Sequence, residues 1–224
     1  MSKAMIYTTW DEYYKSRVRN NEYRDAFRLK YGLFLKEIIF NIKRLAQELG
    51  TPVILKEEGC GIGTVSLSIS SMEEKLLGSM GLTSVSETKE VSKVIFSDIS
   101  PVMLGLCHEN TCPIYSGGYL GRVPFFYCRE NICEPKFFES PSIVVTHGVL
   151  EHFADDDIMK IISTYDNDNV LFQAHCVPTN RYKSPSFGDE RLLAPEVWDA
   201  LIKPDYYILD NNGCDLYMFK LKKS

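Results

Sequence analysis

Between residues 53 and 176 the chain alternates short apolar runs with longer amphipathic stretches, and this alternation constrains the fold more than any other feature. The apolar runs are VILKE (53–57), KVIFSD (93–98), VPFFYC (123–128), SIVVTH (142–147) and NVLFQAH (169–175), and helices fit at 64–77, 101–109, 155–165 and 195–202. Strand and helix in turn make successive βα units, so the expected class is α/β: a Rossmann-like, doubly wound, mainly parallel sheet. Two further runs, YYILD (206–210) and DLYMFKLKK (215–223), flank Asn211, Asn212 and Gly213. An Asn-Gly turn between two alternating runs predicts an antiparallel C-terminal hairpin.

Ahead of this region, Tyr14, Val18, Phe27, Tyr31, Phe34, Leu35, Ile38, Ile42, Leu45 and Leu49 recur near helical spacing, with Gly50, Thr51 and Pro52 as the stop. A break near Asn20 and Asn21 predicts two helices. The expected organisation is an N-terminal helical cap or lid (1–50) followed by the main domain (51–224), with a Gly/Ser/Thr-rich insertion at 78–92. Residues 1–50 hold ten Lys/Arg and six Asp/Glu, a balance of +4, whereas residues 51–224 hold fifteen against twenty-four, −9. An acidic main domain opposes the basic footprint that nucleic acid requires, so a nucleic-acid partner is disfavoured. No apolar run approaches about 18 residues, so no membrane span is expected, and the first residues lack the pattern of an export signal. The chain is read as cytoplasmic, and its seven cysteines, an odd number, as reduced thiols.

The first strand runs into Glu57, Glu58, Gly59, Cys60, Gly61, Ile62, Gly63 and Thr64, after which a helix can begin. A glycine-rich turn at this point lets the backbone approach a ligand at the carboxyl ends of the strands. The spacing is G-x-G-x-G rather than the dinucleotide G-x-G-x-x-G, and Glu57 before it would repel a pyrophosphate but suit a cationic group. Asp98 ends the second strand, where doubly wound folds hold ribose hydroxyls. Ser100 and Pro101 then read as the cap and first position of a helix.

EEGCGIGT, VIFSDISPVML and SIVVTHGVLEHFADDD, in that order, resemble the motifs of class I S-adenosylmethionine-dependent methyltransferases, particularly the small-molecule, ubiquinone-biosynthesis-like branch. The resemblance covers roughly residues 53–176. It implies S-adenosyl-L-methionine as the cofactor, with Gly59, Gly61 and Gly63 under its methionine part, Cys60 packing in the turn, Glu57 near its ammonium group, Asp98 on the ribose and Ile99 against the adenine. The family's acidic adenine contact after the third strand is replaced. Asn131 aligns best there, beside Ile132, and its carbonyl can accept the adenine amino hydrogen bond, with Glu130 as the substitute. Ser142 stands where the fourth strand usually opens with Asp.

Methyl transfer is an in-line displacement that requires mainly proximity and orientation, and a base only for a protonated acceptor. The expected reaction is methylation of an oxygen or nitrogen of a small-molecule acceptor. A protein or peptide side chain, and a catalytically silent cofactor-binding or partner-binding module, are the alternatives. His147, also beside the cofactor, and His152 are the candidate bases, with His175 a third. Tyr14, Tyr182, Phe187 and Arg191 are candidate acceptor contacts, and Trp10, Tyr13 or Tyr14 would line a lid. CHENTC (107–112) and CRENIC (128–133) carry zinc-like spacing, but a helix and a strand end do not place four thiols together, and no metal is expected.

Overall fold

Each of the five apolar runs forms a strand: β1 (Val53–Glu58), β2 (Val91–Asp98), β3 (Phe125–Arg129), β4 (Ser142–His147) and β5 (Val170–Pro178). These pair in parallel, as crossover connections require. β6 (Tyr206–Asp210) and β7 (Asp215–Leu221) pair antiparallel, and the order across the seven-stranded sheet is β3-β2-β1-β4-β5-β7-β6. The expected hairpin is present, with β7 seated between β5 and β6, antiparallel to both. The computed structural model describes residues 10–69, 90–112, 123–134, 138–186 and 188–222.

The helices are α1 (Trp10–Lys15), α2 (Asn21–Lys30), α3 (Gly32–Leu49), α4 opening at residue 64, α5 (Pro101–Thr111), α6 (Asp155–Tyr165) and α7 (Pro195–Ile202). Ser100 caps α5 by accepting from Met103 N at 3.2 Å, with Pro101 in the first turn. Gly50 closes α3 in a left-handed conformation. The N-terminal stretch holds three helices rather than the expected two. Besides the break after α1, Tyr31 leaves helical geometry (φ −105°, ψ 23°), and α3 restarts at Gly32. The expected insertion ends earlier than read, because Val91 and Ser92 already belong to β2. Its residues 78–89, and 70–77 of the expected first βα helix, lie outside the described residues.

Both faces of the sheet are covered, which explains why its strands read as nearly continuous apolar runs. Along β4, Ile143 and Val145 face the cluster that holds Phe34, Leu35, Ile38 and Ile42 of α3, while Val144 faces Ile158, Ile161 and Ile162 of α6 and Trp198 of α7. β7 alternates likewise, with Tyr217 and Phe219 on the α3 side and Leu216 and Met218 on the other. Burial of each such side chain stabilises by about 1.5–3 kcal/mol. No helix among the described residues is long and apolar enough to cross a membrane.

Candidate functional site

The carboxyl ends of β1, β2 and β4 meet at the glycine turn. Gly59, Gly61 and Gly63 have φ of 63°, 52° and 73°, a backbone that side chains disfavour. Two of them are also closely packed. A Cβ on Gly59 would lie 2.5 Å from Val149 Cγ2, and one on Gly63 would lie 2.9 Å from both Cys107 Sγ and a Phe96 ring carbon. The turn is thus pinned between the segment after β4 and helix α5. Cys60 is buried in it, and its N–H donates to Ser97 O at 2.9 Å.

Glu57 is buried beneath the turn, and its carboxylate faces the N-terminus of α4. It accepts from Val65 N (3.2 Å), Ser66 N (2.9 Å) and Ser66 Oγ (2.6 Å). Burial pushes the carboxyl up to about 7, although the Ser66 and Val65 hydrogen bonds pull it down. Asp98 accepts from Gly61 N at 3.0 Å through one oxygen and from Ser100 N at 2.9 Å through the other. Burial raises its pKa against those bonds. Beside it Ile99 is 61% exposed, an apolar side chain presented at the mouth of the turn.

Next along this edge, Asn131 is half-buried. Its carbonyl accepts from Cys133 N at 3.0 Å and its amide donates to Glu134 at 3.3 Å, while Ile132 is buried. Glu130 accepts from buried Lys56 at 2.7 Å and from Ser97 Oγ at 3.1 Å. Lys56 also pairs with buried Glu58 at 3.1 Å. Burial works against the Lys56 charge, but the two carboxylates outweigh it and raise its pKa. Ser142 is buried at the opposite end of β4, with its hydroxyl on Glu139 O.

His147 ends β4 under an aromatic roof. The rings of Tyr31, Phe27 and Phe34 lie 4.4, 4.9 and 6.2 Å from its imidazole. Nε2 is buried without a hydrogen-bond partner among the described residues, and burial lowers the pKa to about 4. The imidazole is therefore neutral near pH 7. The break at Tyr31 is what turns α2 so that Phe27 and Tyr31 both reach His147. His175, by contrast, is sealed inside the sheet, bonded to Thr146 Oγ1 (2.9 Å) and Gln173 Oε1 (3.3 Å), out of reach of an acceptor.

Helix α1 closes over the turn. The Tyr14 ring lies 3.6 Å from the position a Gly61 Cβ would take. Trp10 stacks on Tyr14 with centroids 5.9 Å apart and meets His152 edge-on at 5.3 Å, and Tyr13 lies edge-on to Tyr14 at 4.9 Å. The segment after α1 is tied back to the turn, since Asn110 accepts from Arg19 N (2.7 Å) and donates to Ile62 O (2.9 Å). Tyr23 bonds Thr64 in the first turn of α4.

His152 lies in a 3-10 turn, Leu150–His152, and its Nδ1 is 2.8 Å from Asp189 Oδ1. Arg191 pairs with Asp155 at 2.6 Å and donates to Phe153 O at 2.5 Å. His152, Phe153, Asp155, Asp156, Asp189 and Arg191 line an open cavity of about 650 Å³. Tyr182 stands apart from it. Its hydroxyl donates to Asp215 at 2.8 Å and accepts from Lys30 of α2, also at 2.8 Å. Phe187 lies outside the described residues. The residue that sequence reasoning passed over is Glu151. It is buried, its carboxyl is pushed up to about 8 by burial and by the nearby Glu190 and Asp215 carboxylates, and its Oε2 has no hydrogen-bond partner among the described residues. An acidic residue directly before His152 was the available signal. The two C-x4-C segments place Cys107 in the core and Cys112 at the surface, and all seven cysteines are free thiols.

No family model matches the sequence, and no curated protein matches it. Solved structures do match. An S-adenosylmethionine-dependent methyltransferase from Clostridium acetobutylicum ATCC 824 superposes with a TM-score of 0.61 at 10% identity, covering 94% of this chain and 99% of that one. The magnesium protoporphyrin IX methyltransferase ChlM from Synechocystis PCC 6803, with bound SAH, gives 0.55 at 12% identity over 95% and 100% of the two chains. The bifunctional kinase-methyltransferase WbdD gives 0.56 at 14% identity over 86% of this chain and 39% of that one, so this chain spans about two fifths of WbdD. The shared property at these identities is the fold, a Rossmann-like sheet of the kind these methyltransferases use.

Proposed function

We propose that the chain is an S-adenosylmethionine-dependent methyltransferase of class I type, acting on an oxygen or nitrogen of a small-molecule acceptor. The observation that carries this reading is the convergence, at one edge of a β3-β2-β1-β4-β5-β7-β6 sheet, of the glycine turn, Asp98 and the tip of β4. The residues present fit the cofactor. Asp98 retains lone pairs for ribose hydroxyls beyond its two backbone bonds. Exposed Ile99 offers an apolar face to adenine, and Glu57 sets a carboxyl behind the turn on the side where an ammonium group would lie. Asn131 and Ile132 would border the adenine, with Asn131 using the second lone pair of its carbonyl. When bound, the cofactor supplies an activated methyl group whose sulfur leaves without needing a proton.

The protein's own part is orientation and exclusion of water. Residues 1–50 act as the cap of the 51–224 domain, and Tyr14, over Gly61, must withdraw from the turn for the cofactor to enter and then close again. The acceptor lies beyond His147 and His152, with Tyr182 and Arg191 as its candidate contacts; Phe187, the third, lies outside the described residues. The neutral His147 imidazole can accept a proton at Nε2, but a pKa of about 4 suits it only to an acceptor that is already acidic. The −9 balance of residues 51–224 argues against nucleic acid as the acceptor.

Calorimetric titration with S-adenosylhomocysteine and S-adenosylmethionine tests the cofactor reading, and saturable binding of both is expected. Absence of binding at millimolar ligand would end it. Binding without turnover on a panel of hydroxyl and amine acceptors would favour a silent binding module, and turnover lost in His147→Ala with cofactor affinity retained would support the proton-accepting role.

A further inference from the structure

In the segment after β4 and the loop before α7, one carboxylate oxygen each from Glu151 and Glu190 and one ring nitrogen of His152 lie within 4.8 Å of one another. We propose that Glu151, His152 and Glu190 form a binding site for a divalent first-row transition-metal cation, Mn²⁺ or Zn²⁺. No metal is expected here from the residue spacing alone.

The cluster is supported by an independent observation. Glu151 is 3% exposed, and its covered Oε2 has no hydrogen-bond partner among the described residues. An unsatisfied buried polar atom is destabilising, and a cation held by the cluster would supply the partner that the Glu151 carboxyl group lacks. The second ligand is held as metal-binding histidines are held. The Asp189 carboxylate lies on His152 Nδ1 at 2.8 Å, which fixes the ring and leaves the Nε2 lone pair available.

The two segments that carry the ligands are also joined before any ion arrives. Arg191 N donates to Glu151 O at 2.9 Å, which fastens the loop bearing Glu190 to the turn bearing Glu151, and within that loop Glu190 Oε2 accepts from Ser186 N at 2.6 Å. The donor set, one imidazole nitrogen and two carboxylate oxygens, matches Mn²⁺ or Zn²⁺ better than Ca²⁺, which takes six or more oxygens. Three protein donors leave coordination positions for water or an oxygen-bearing ligand, and the cavity lined by Asp155, Asp156 and Asp189 adjoins His152.

The test is Mn²⁺ titration of the full chain after chelator treatment, with free Mn²⁺ followed by electron paramagnetic resonance. Mn²⁺ is chosen because thiolates prefer softer ions, so the seven cysteines do not compete. One Mn²⁺ per chain is expected. Affinity should weaken by about tenfold or more, roughly 1.4 kcal/mol, in His152→Ala and in Glu190→Gln. Glu190 is only half-buried, so its variant keeps the fold intact where Glu151→Gln could fail. Trp10, 5.3 Å from His152, should be quenched by the ion in the native chain and not in His152→Ala. No binding up to millimolar Mn²⁺, or equal affinity in native chain and both variants, overturns the site. S-adenosylhomocysteine titration of the same samples keeps this outcome separate from that of the methyltransferase reading.

Discussion

Asp98 satisfies two backbone N–H groups at once, one in the glycine turn and one in the cap of α5. It fastens the turn to β2 as well as facing the proposed ribose. Asp98→Ala should therefore weaken S-adenosylhomocysteine by about tenfold or more in calorimetry, and unchanged affinity would remove it from the cofactor site. Glu57 makes a second prediction. Its free carboxyl ionises at about 7, and a cationic group bound nearby would favour the carboxylate. Cofactor affinity should then rise from pH 6 to pH 8 and fall by up to about tenfold per pH unit below 7, because the protonated form must first lose its proton. A flat profile would place the ammonium elsewhere. The position of Glu57 before three glycines was legible in the sequence. Its engagement with Ser66 was not, because Ser66 sits in a run, VSLS, that reads as ordinary helix. The position of His147 was equally plain, but its aromatic roof depends on residues over a hundred positions away.

Among the elements, the strands were legible because burial on both faces writes itself into uninterrupted apolar runs, as in SIVVTH. The break at Tyr31 was not, because Phe27, Tyr31, Phe34 and Leu35 keep helical spacing straight through it. The spacing carries on while the axis turns, so periodicity cannot register the change. The contact between the glycine turn and the segment after β4 is likewise tertiary, and it can be tested. Gly59→Ala places a Cβ 2.5 Å from Val149 at φ 63° and should destabilise the protein by more than about 1 kcal/mol in urea unfolding. Shortening Val149 to Ala should recover part of that loss, as expected for residues in direct contact. On the other side of the site, Tyr182→Phe removes the hydroxyl that joins Lys30 of α2 to Asp215 at the start of β7. It should cost about 1–2 kcal/mol, read in the same assay.

At the scale of the whole molecule, burial sets how stability responds to acid. His147 and His175 are held neutral down to about 4 and about 3, whereas an unfolded histidine takes a proton near 6.5. Folded pKa values below the unfolded one mean that their contribution is present above pH 6.5 and is lost as pH falls toward the folded values. His175→Asn removes one of the two. Whatever its cost at pH 7, the gap to the parent chain should narrow on acidification by up to about 1.4 kcal/mol per pH unit, measured by urea unfolding at pH 7 and pH 5. A constant gap would show that His175 takes up its proton as readily in the folded state as in the unfolded one.

The place of β7 in the sheet bears on how the chain is made. β6 is synthesised before β7, yet its pairing partner in the sheet is β7, and β5 also waits for β7 on that edge. While the ribosome is still adding residues 215–221, β5 presents an open parallel-sheet edge and β6 has nothing to pair with. Chains that end before residue 215 should be far more prone to aggregate than those that include residue 221. Closure of this side of the sheet is thereby a late event, because both β5 and β6 wait for the last-made strand, seven residues long.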